Sequence, residues 1–334
     1  MRYLLVVLIG IFSTTCKVKE SQNVTFYHVL APIFARDFIN DTTFLHDVNN
    51  IAGLGDNFLI LDIKQNKIYV LNSKLELISG YGVEGEGPGE FILPERFYID
   101  NKNIYILNAG KGTIEKVFVD QFKLSYLKTI PLVNELKGMV YDTRFFYHKG
   151  LFYLSAPVTG SPIILQAEDG VLIDSIGIQI KNENDPRDFL NNGRFLFLTD
   201  DDFILSICVS YPLIEFYKLN GERESVKSLN IKPIIDRKKY IEQQPMDDDA
   251  YYWYFRDCYL HKNFLLLLLI SGKEEPVCNA IAVFEIQNKN DLNFKGLLKL
   301  PGVWYSTIGL TNDLLLAFET TRNTLELYHL NFLF

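Results

Sequence analysis

Four arginines stand at matching places along this chain. Arg96, Arg144, Arg194 and Arg256 each lie eight or nine residues ahead of an apolar stretch, at Ile104, Phe152, Phe203 and Phe264, and the first three are followed directly by Phe. A guanidinium stays charged at any working pH and presents a rigid fork of donors that grips a carboxylate, sulfate or phosphate through two bonds at once. Four such groups at corresponding points of a repeated structure would form an arc able to hold one anionic ligand. The competing use is an ion pair with a neighbouring repeat, for which Glu95, Asp142 and Asp257 are the nearby carboxylates. The phase of the alignment decides between them, because a slip of one residue along a strand turns a side chain to the opposite face.

A second group is acidic. Glu84, Glu86 and Glu90 fall within Gly80-Tyr81-Gly82-Val83-Glu84-Gly85-Glu86-Gly87-Pro88-Gly89-Glu90-Phe91. Calcium takes several oxygen ligands, so three close carboxylates are a candidate cation site. The simpler reading is a turn in which the glycines supply positive φ and Pro88 fixes the bend. A phosphate cradle is disfavoured, since the loop lacks a Lys-Ser/Thr ending and its acids would repel an anion. Other catalytic signatures are missing: the chain has no Gly-x-Ser-x-Gly elbow, no His-Glu-x-x-His pair and no dinucleotide glycine fingerprint. His28, His46, His148, His261 and His329 are scattered, and the acidic runs Asp200–Asp202 and Asp247–Asp249 read as solvated turns. Catalytic residues are therefore assigned to none of these groups.

The elements that must carry these residues are strands. The chain has 25 Phe and 19 Tyr against 3 Met, a balance suited to pleated, half-buried surfaces. Apolar stretches begin at Phe58, Ile104, Leu151, Phe203, Phe264 and Leu314, each after a turn rich in Asn, Asp, Gly or Lys. The intervals are 46, 47, 52, 61 and 50 residues, and each stretch is followed by further strand-like segments. Periods of this size indicate radially repeated antiparallel sheets, so the expectation is an all-β, six-bladed β-propeller with four-stranded blades. The sixth unit ends after three strands. An N-terminal strand must complete that last blade, and Asn23–Leu30 is the obvious donor, since closing the ring removes an unpaired edge. A sandwich or barrel pair is the alternative, but it would need a composition break that is absent. Two connections are long, Lys181–Gly193 and Lys232–Ala250, and the second opens on Pro233 ahead of a mixed apolar and charged run that predicts a short amphipathic helix.

The N-terminus predicts export. Arg2 precedes the apolar run Leu4–Phe12, then Ser13, Thr14 and Thr15 lead to Cys16. The run is too short to span a bilayer, which needs roughly 20 apolar residues. The arrangement resembles a bacterial lipoprotein signal, which implies lipidation at Cys16, a signal segment of residues 1–16 and a single propeller domain of residues 17–334. Cys208, Cys258 and Cys278 then remain, an odd number that allows at most one bridge; Cys258 with Cys278 is the candidate pair and buried free thiols are the favoured reading. No two cysteines have zinc-site spacing. A formal net charge of -8 without any basic cluster argues against nucleic acid as a partner.

The loop Gly85-Glu86-Gly87-Pro88-Gly89-Glu90-Phe91 resembles a signature of exported six-bladed propeller lipoproteins of Bacteroides type, which are related to NHL-repeat proteins. The resemblance implies an outer-membrane lipoprotein at the cell surface or periplasmic face, held to the membrane by its lipid alone and monomeric; it implies no particular activity. Two functions are compatible with it. One is a binding or scaffold module for an anionic small molecule, a glycan or a partner protein. The other is a metal-dependent hydrolase or lactonase with a cation, calcium for example, at the mouth of the central channel. The inner positions offer Arg more regularly than Asp or Glu, which favours binding.

Overall fold

The structure, a computed structural model, describes residues 27–40, 43–137, 143–157, 160–180, 193–243, 253–272, 276–287 and 291–330. Cys16, Asp142 and Asp247–Asp249 lie outside them, as do residues 181–192 of the first long connection and 244–250 of the second.

Six sheets follow one another around the axis, each built of four antiparallel strands running from the axis outward, with one further strand added to the fifth. The inner strands are Val48–Leu54, Pro94–Asp100, Phe146–His148, Arg194–Leu198, Phe255–His261 and Tyr305–Thr311, in blades 1 to 6. The protein is a six-bladed β-propeller. Each inner strand turns back into the second strand of its blade. In five blades that turn has two residues, and its first is left-handed: Gly55, Asn101, Lys149, Lys262 and Asn312, with φ between 49° and 61°. Short turns of this hand match the twist of the strands they join, which is why Gly, Asn and Lys stand where β-branched residues do not. Blade 4 differs. Its turn holds the three residues Asp200–Asp202, with the left-handed position at Asp202 (φ 59°) and Phe203 N–H donating to Thr199 Oγ1 at 3.1 Å.

Side chains of each inner strand alternate between the preceding and the following blade, as a period of two requires. Phe97 packs towards blade 1 among Leu59, Leu61 and Val70, whereas its neighbour Tyr98 packs towards Phe145 of blade 3. Phe195 likewise joins Phe255, Cys258 and Leu267 of blade 5, and Leu196 joins Phe146 and Tyr153 of blade 3. The core is thus a ring of six inter-blade layers.

An N-terminal strand closes the ring, but it is not the expected Asn23–Leu30. Phe34–Arg36 pairs antiparallel with Thr324–His329 and supplies the fourth strand of blade 6. Tyr27–Val29 instead lies parallel to Asp291–Lys299 and adds a fifth, outermost strand to blade 5. The chain therefore straddles two blades before it enters blade 1. Burial explains the choice: Leu30 is inserted among Leu298, Leu300 and Leu330 between blades 5 and 6, which fixes the strand before it on blade 5 and the strand after it on blade 6. The predicted helix forms at Lys232–Glu242, with Pro233 in its first turn and Ile234 and Arg237 on the buried side. Cys208, Cys258 and Cys278 are free and buried.

Candidate functional site at the propeller axis

Five of the inner strands bring one polar side chain each to a common level of the axis. The level is found by counting four residues back from the last residue before the first turn of a blade: Leu54, Asp100, His148, Thr199, His261 and Thr311. This gives Asn50, Arg96, Arg144, Phe195, Asp257 and Thr307 in blades 1 to 6. All six are buried. The side chains share one parity, so all turn towards the following blade and the axis.

Asp257 is the hub. Arg144 crosses from blade 3 and meets it through two parallel bonds, Nε to Oδ1 at 2.8 Å and Nη2 to Oδ2 at 2.6 Å. The hydroxyl of Thr307 donates to Oδ2 at 2.7 Å and the Ile308 amide at 3.0 Å, while Arg96 Nη1 stands 3.8 Å from Oδ1. The remaining donors of Arg144 reach Asn50 Oδ1 (2.8 Å) and the carbonyls of Ile51 (3.2 Å) and Ile308 (2.7 Å), and its guanidinium lies over the Tyr259 ring at 5.1 Å. Asn50 Nδ2 continues the chain to the Phe97 carbonyl at 2.9 Å, and Arg96 also donates to the Asn49 carbonyl. Burial would raise the Asp257 carboxyl, but Arg144 and Arg96 together with their hydrogen bonds outweigh that and hold it below its ordinary value. A buried polar network in which Asp257 and Arg144 are each held by several partners is rigid, and it occupies the axis.

The axis is closed further by contact between backbones. Gly53 of blade 1 and Gly309 of blade 6 face the opposite strand so closely that a Cβ on Gly309 would stand 2.6 Å from the Ile51 carbonyl oxygen. Ser306 Oγ donates to the Val48 carbonyl at 2.6 Å across the same seam.

The expected arginine arc is thereby corrected. Arg96 and Arg144 occupy equivalent places, but they are spent on Asp257 in the interior. Arg194 precedes the equivalent residue, Phe195, by one position, so it faces the other way and lies 3.6 Å from Glu215 of its own blade. The extra residue in the Asp200–Asp202 turn produced that slip in the alignment. Arg256 also precedes its equivalent, Asp257, by one, at a bulge where the register shifts between Phe255 and Asp257. It is half-buried, with its guanidinium 5.8 Å from the Trp253 ring and Nη2 3.4 Å from Asn49 Oδ1. Sequence reasoning missed Asn50 and Thr307 and took Asp257 only as a possible partner; equal distance from the first turn was the signal that marks all three.

The acidic loop does not converge. Glu84 and Glu86 are exposed, while Glu90 bends back to accept from the Gly87 amide at 2.7 Å. Lys111 Nζ binds the loop carbonyls of Gly87 (3.0 Å) and Glu90 (3.2 Å), and Phe91 anchors the loop in the core against Tyr81. Lys111 occupies the carbonyls a cation would use, so the loop is a structural turn. Among the described residues no group of three or more His, Cys, Asp or Glu is placed to hold a metal ion.

The fold and its filled axis define a β-propeller of the six-bladed class. Residues 13–159 match the DUF5128 family, a 6-bladed beta-propeller. The match covers the first blades, and it agrees with the six-bladed ring seen in the structure. Among solved structures, it is similar to an exported protein of Bacteroides fragilis (14% identity, TM-score 0.56, covering 89% of this chain and 88% of that one). It is also similar to a duf4221 family member of Bacteroides vulgatus (9%, TM-score 0.56, 90% and 97%) and to a streptogramin B lyase (13%, TM-score 0.51, 89% and 87%). At these identities the likeness concerns the fold. No curated protein matches the chain.

Proposed function

We propose that the protein is an exported, lipid-anchored binding module whose ligand carries a negative charge, an acidic glycan being the class best suited to the residues present. The observation that carries this reading is the position of Arg256 relative to the other arginines. Arg96, Arg144 and Arg194 are buried, whereas Arg256 is half-buried beside the channel and lies over Trp253. An aromatic face beside a guanidinium suits a sugar ring bearing a carboxylate or sulfate: the ring stacks and the charge is gripped. Asn49 Oδ1 accepts from Arg256 Nη2 at 3.4 Å and helps to position the guanidinium. The hydrolase reading lacks comparable support, because a guanidinium crosses the axis where a cation would have to sit, and Asp257, its candidate ligand there, is bound by Arg144, Thr307 and Ile308.

Anchoring through Cys16 belongs to the same proposal. No helix of the described residues is long and apolar enough to cross a membrane. In cells, the native chain would partition into detergent and a Cys16→Ser form would not. For the ligand, the soluble chain from Ser21 onward is titrated calorimetrically with uronate-bearing, sulfated and neutral oligosaccharides. The acidic ones bind, more weakly in high salt, and Arg256→Ala lowers affinity by about 10- to 100-fold, the loss of a charge-assisted bond. Equal binding of neutral sugars, or an Arg256→Ala form that binds unchanged, refutes the assignment.

A further inference from the structure

The first strands of the propeller carry apolar side chains on the outside of the molecule. Tyr27, Val29, Ile33, Phe34, Phe38 and Phe44 are all more than a third exposed, Val29 at 68% and Tyr27 at 58%. They belong to one short stretch of chain that runs from the outer edge of blade 5 past that of blade 6 to blade 1, where Gln65 Nε2 donates to the Phe44 carbonyl at 2.7 Å. Exposed outer strands ordinarily carry charge, which blunts their tendency to pair with other chains. Tyr27–Val29 is the outermost strand of its sheet, and its side chains are a phenol, an imidazole and an isopropyl group.

We propose that this outer edge is a membrane-contact face, laid against the headgroup region of a phospholipid bilayer so that the disc stands on its rim. This rests on the anchoring reading of Cys16 for its delivery, and on three features of the chain for its chemistry. First, the residue types fit the interface: Tyr and Phe have apolar rings that favour the boundary between headgroups and acyl chains. Second, the one cation within the strip is held among these rings, with Arg36 lying 5.6 Å from Phe34 and 5.3 Å from Phe38 while Nη1 donates to the Leu75 carbonyl at 2.9 Å. A guanidinium placed among aromatic rings can meet a lipid phosphate without leaving its apolar neighbours. Third, reach is limiting. Tyr27 lies eleven residue steps beyond Cys16, and a fully extended chain covers at most roughly 3.3–3.6 Å per residue, so the strip is held within about 40 Å of the lipid. Lys17 and Lys19 add positive charge to that tether, whereas the whole chain is acidic.

The test separates this face from the acylation of Cys16. The chain from Ser21 onward is tethered by an N-terminal histidine tag to nickel-chelating lipid in phosphatidylethanolamine vesicles containing brominated acyl chains. Because Cys208, Cys258 and Cys278 are buried, one introduced cysteine can be labelled selectively with an environment-sensitive dye, at Val29→Cys or, for comparison, at Val226→Cys on the outer strand of blade 4. Quenching by the brominated chains at position 29 is expected to exceed that at 226 several-fold, and to fall to the level at 226 when Ile33→Ser and Phe34→Ser are added. Equal quenching at both positions overturns the proposal. So does shielding of position 29 in free solution with a dimeric mass, which would make the strip a contact between two copies. Loss of membrane attachment in cells on Cys16→Ser bears only on the anchor.

Discussion

Replacing Asp257 with Asn removes one negative charge from a site that holds two buried guanidinium groups and changes almost nothing in shape. Arg144 loses both charge-assisted bonds to the carboxylate, at 2.8 and 2.6 Å, and the Arg96 contact at 3.8 Å is lost with them. One half of the amide also presents a donor to donors. Breaking a buried pair by removing one partner costs about 3–5 kcal/mol, because the remaining charge is left without compensation. For a domain of this size that corresponds to a fall in Tm of roughly 5–8 °C. Thermal unfolding of Asp257→Asn, followed by circular dichroism, measures it. The pH dependence gives a second reading. The folded carboxyl titrates below its ordinary value of 3.8, so its contribution is complete above that pH and disappears as pH falls through the folded value. Stability of the native chain therefore has an acid limb below about pH 4 that Asp257→Asn lacks. A second variant, Arg144→Met with Asp257→Leu, replaces both charges with apolar groups and should recover part of the loss. A Tm for Asp257→Asn within 1 °C of native, or an unchanged acid limb, would refute the account of the axis as a charge-compensated plug.

Other consequences are simpler to check. Gly309→Ala places a methyl group against the Ile51 backbone, which cannot yield as a side chain would, and should cost about 1–3 kcal/mol or more by chemical denaturation. Glu168 joins blades 2 and 3 by accepting from Tyr147 at 2.6 Å, Lys116 at 3.3 Å and Lys128. Burial raises its carboxyl, yet these partners prevail and bring it down to about 2, so it stabilises fully above its usual 4.5 and loses that effect as pH falls from 4.5 towards 2; Glu168→Gln should lack that component of acid unfolding. Burial pushes the Cys278 thiol up to about 12 and raises those of Cys208 and Cys258. The chain from Ser21 should accordingly show no reaction with a thiol reagent when folded and three reactive thiols in denaturant.

The propeller was legible from the sequence because its evidence is redundant: six apolar stretches, six turns and one spacing all report the same repeat. The axis was not, because it depends on parity, and parity is lost to a single added residue. Arg194 shows this most directly. Its match to Arg96 holds to within one position, which suffices to identify a blade and fails to identify a face, and the three aspartates of the next turn supply the difference. Asp257 was visible only as the neighbour of Arg256, since a bulge stands between them in the register. The closing strand was placed between eight and nine residues early at its centre for another reason: Tyr27–Val29 does form a strand, but on blade 5, and no local feature distinguishes it from the one that completes blade 6.

The pairing of Phe34 with Leu327 has a consequence for how the molecule is made. Residue 34 is synthesised 293 residues before residue 327, so the strand waits for five blades and most of a sixth before its partner exists. Blades 1 to 5 can assemble on local contacts, whereas joining the two ends must overcome the closure entropy of the largest loop available. Until then the sixth blade presents an open edge, and the faces that the first and sixth blades turn to one another stay uncovered. The seam between Phe34–Arg36 and Thr324–His329 is therefore the last pairing of the ring to form.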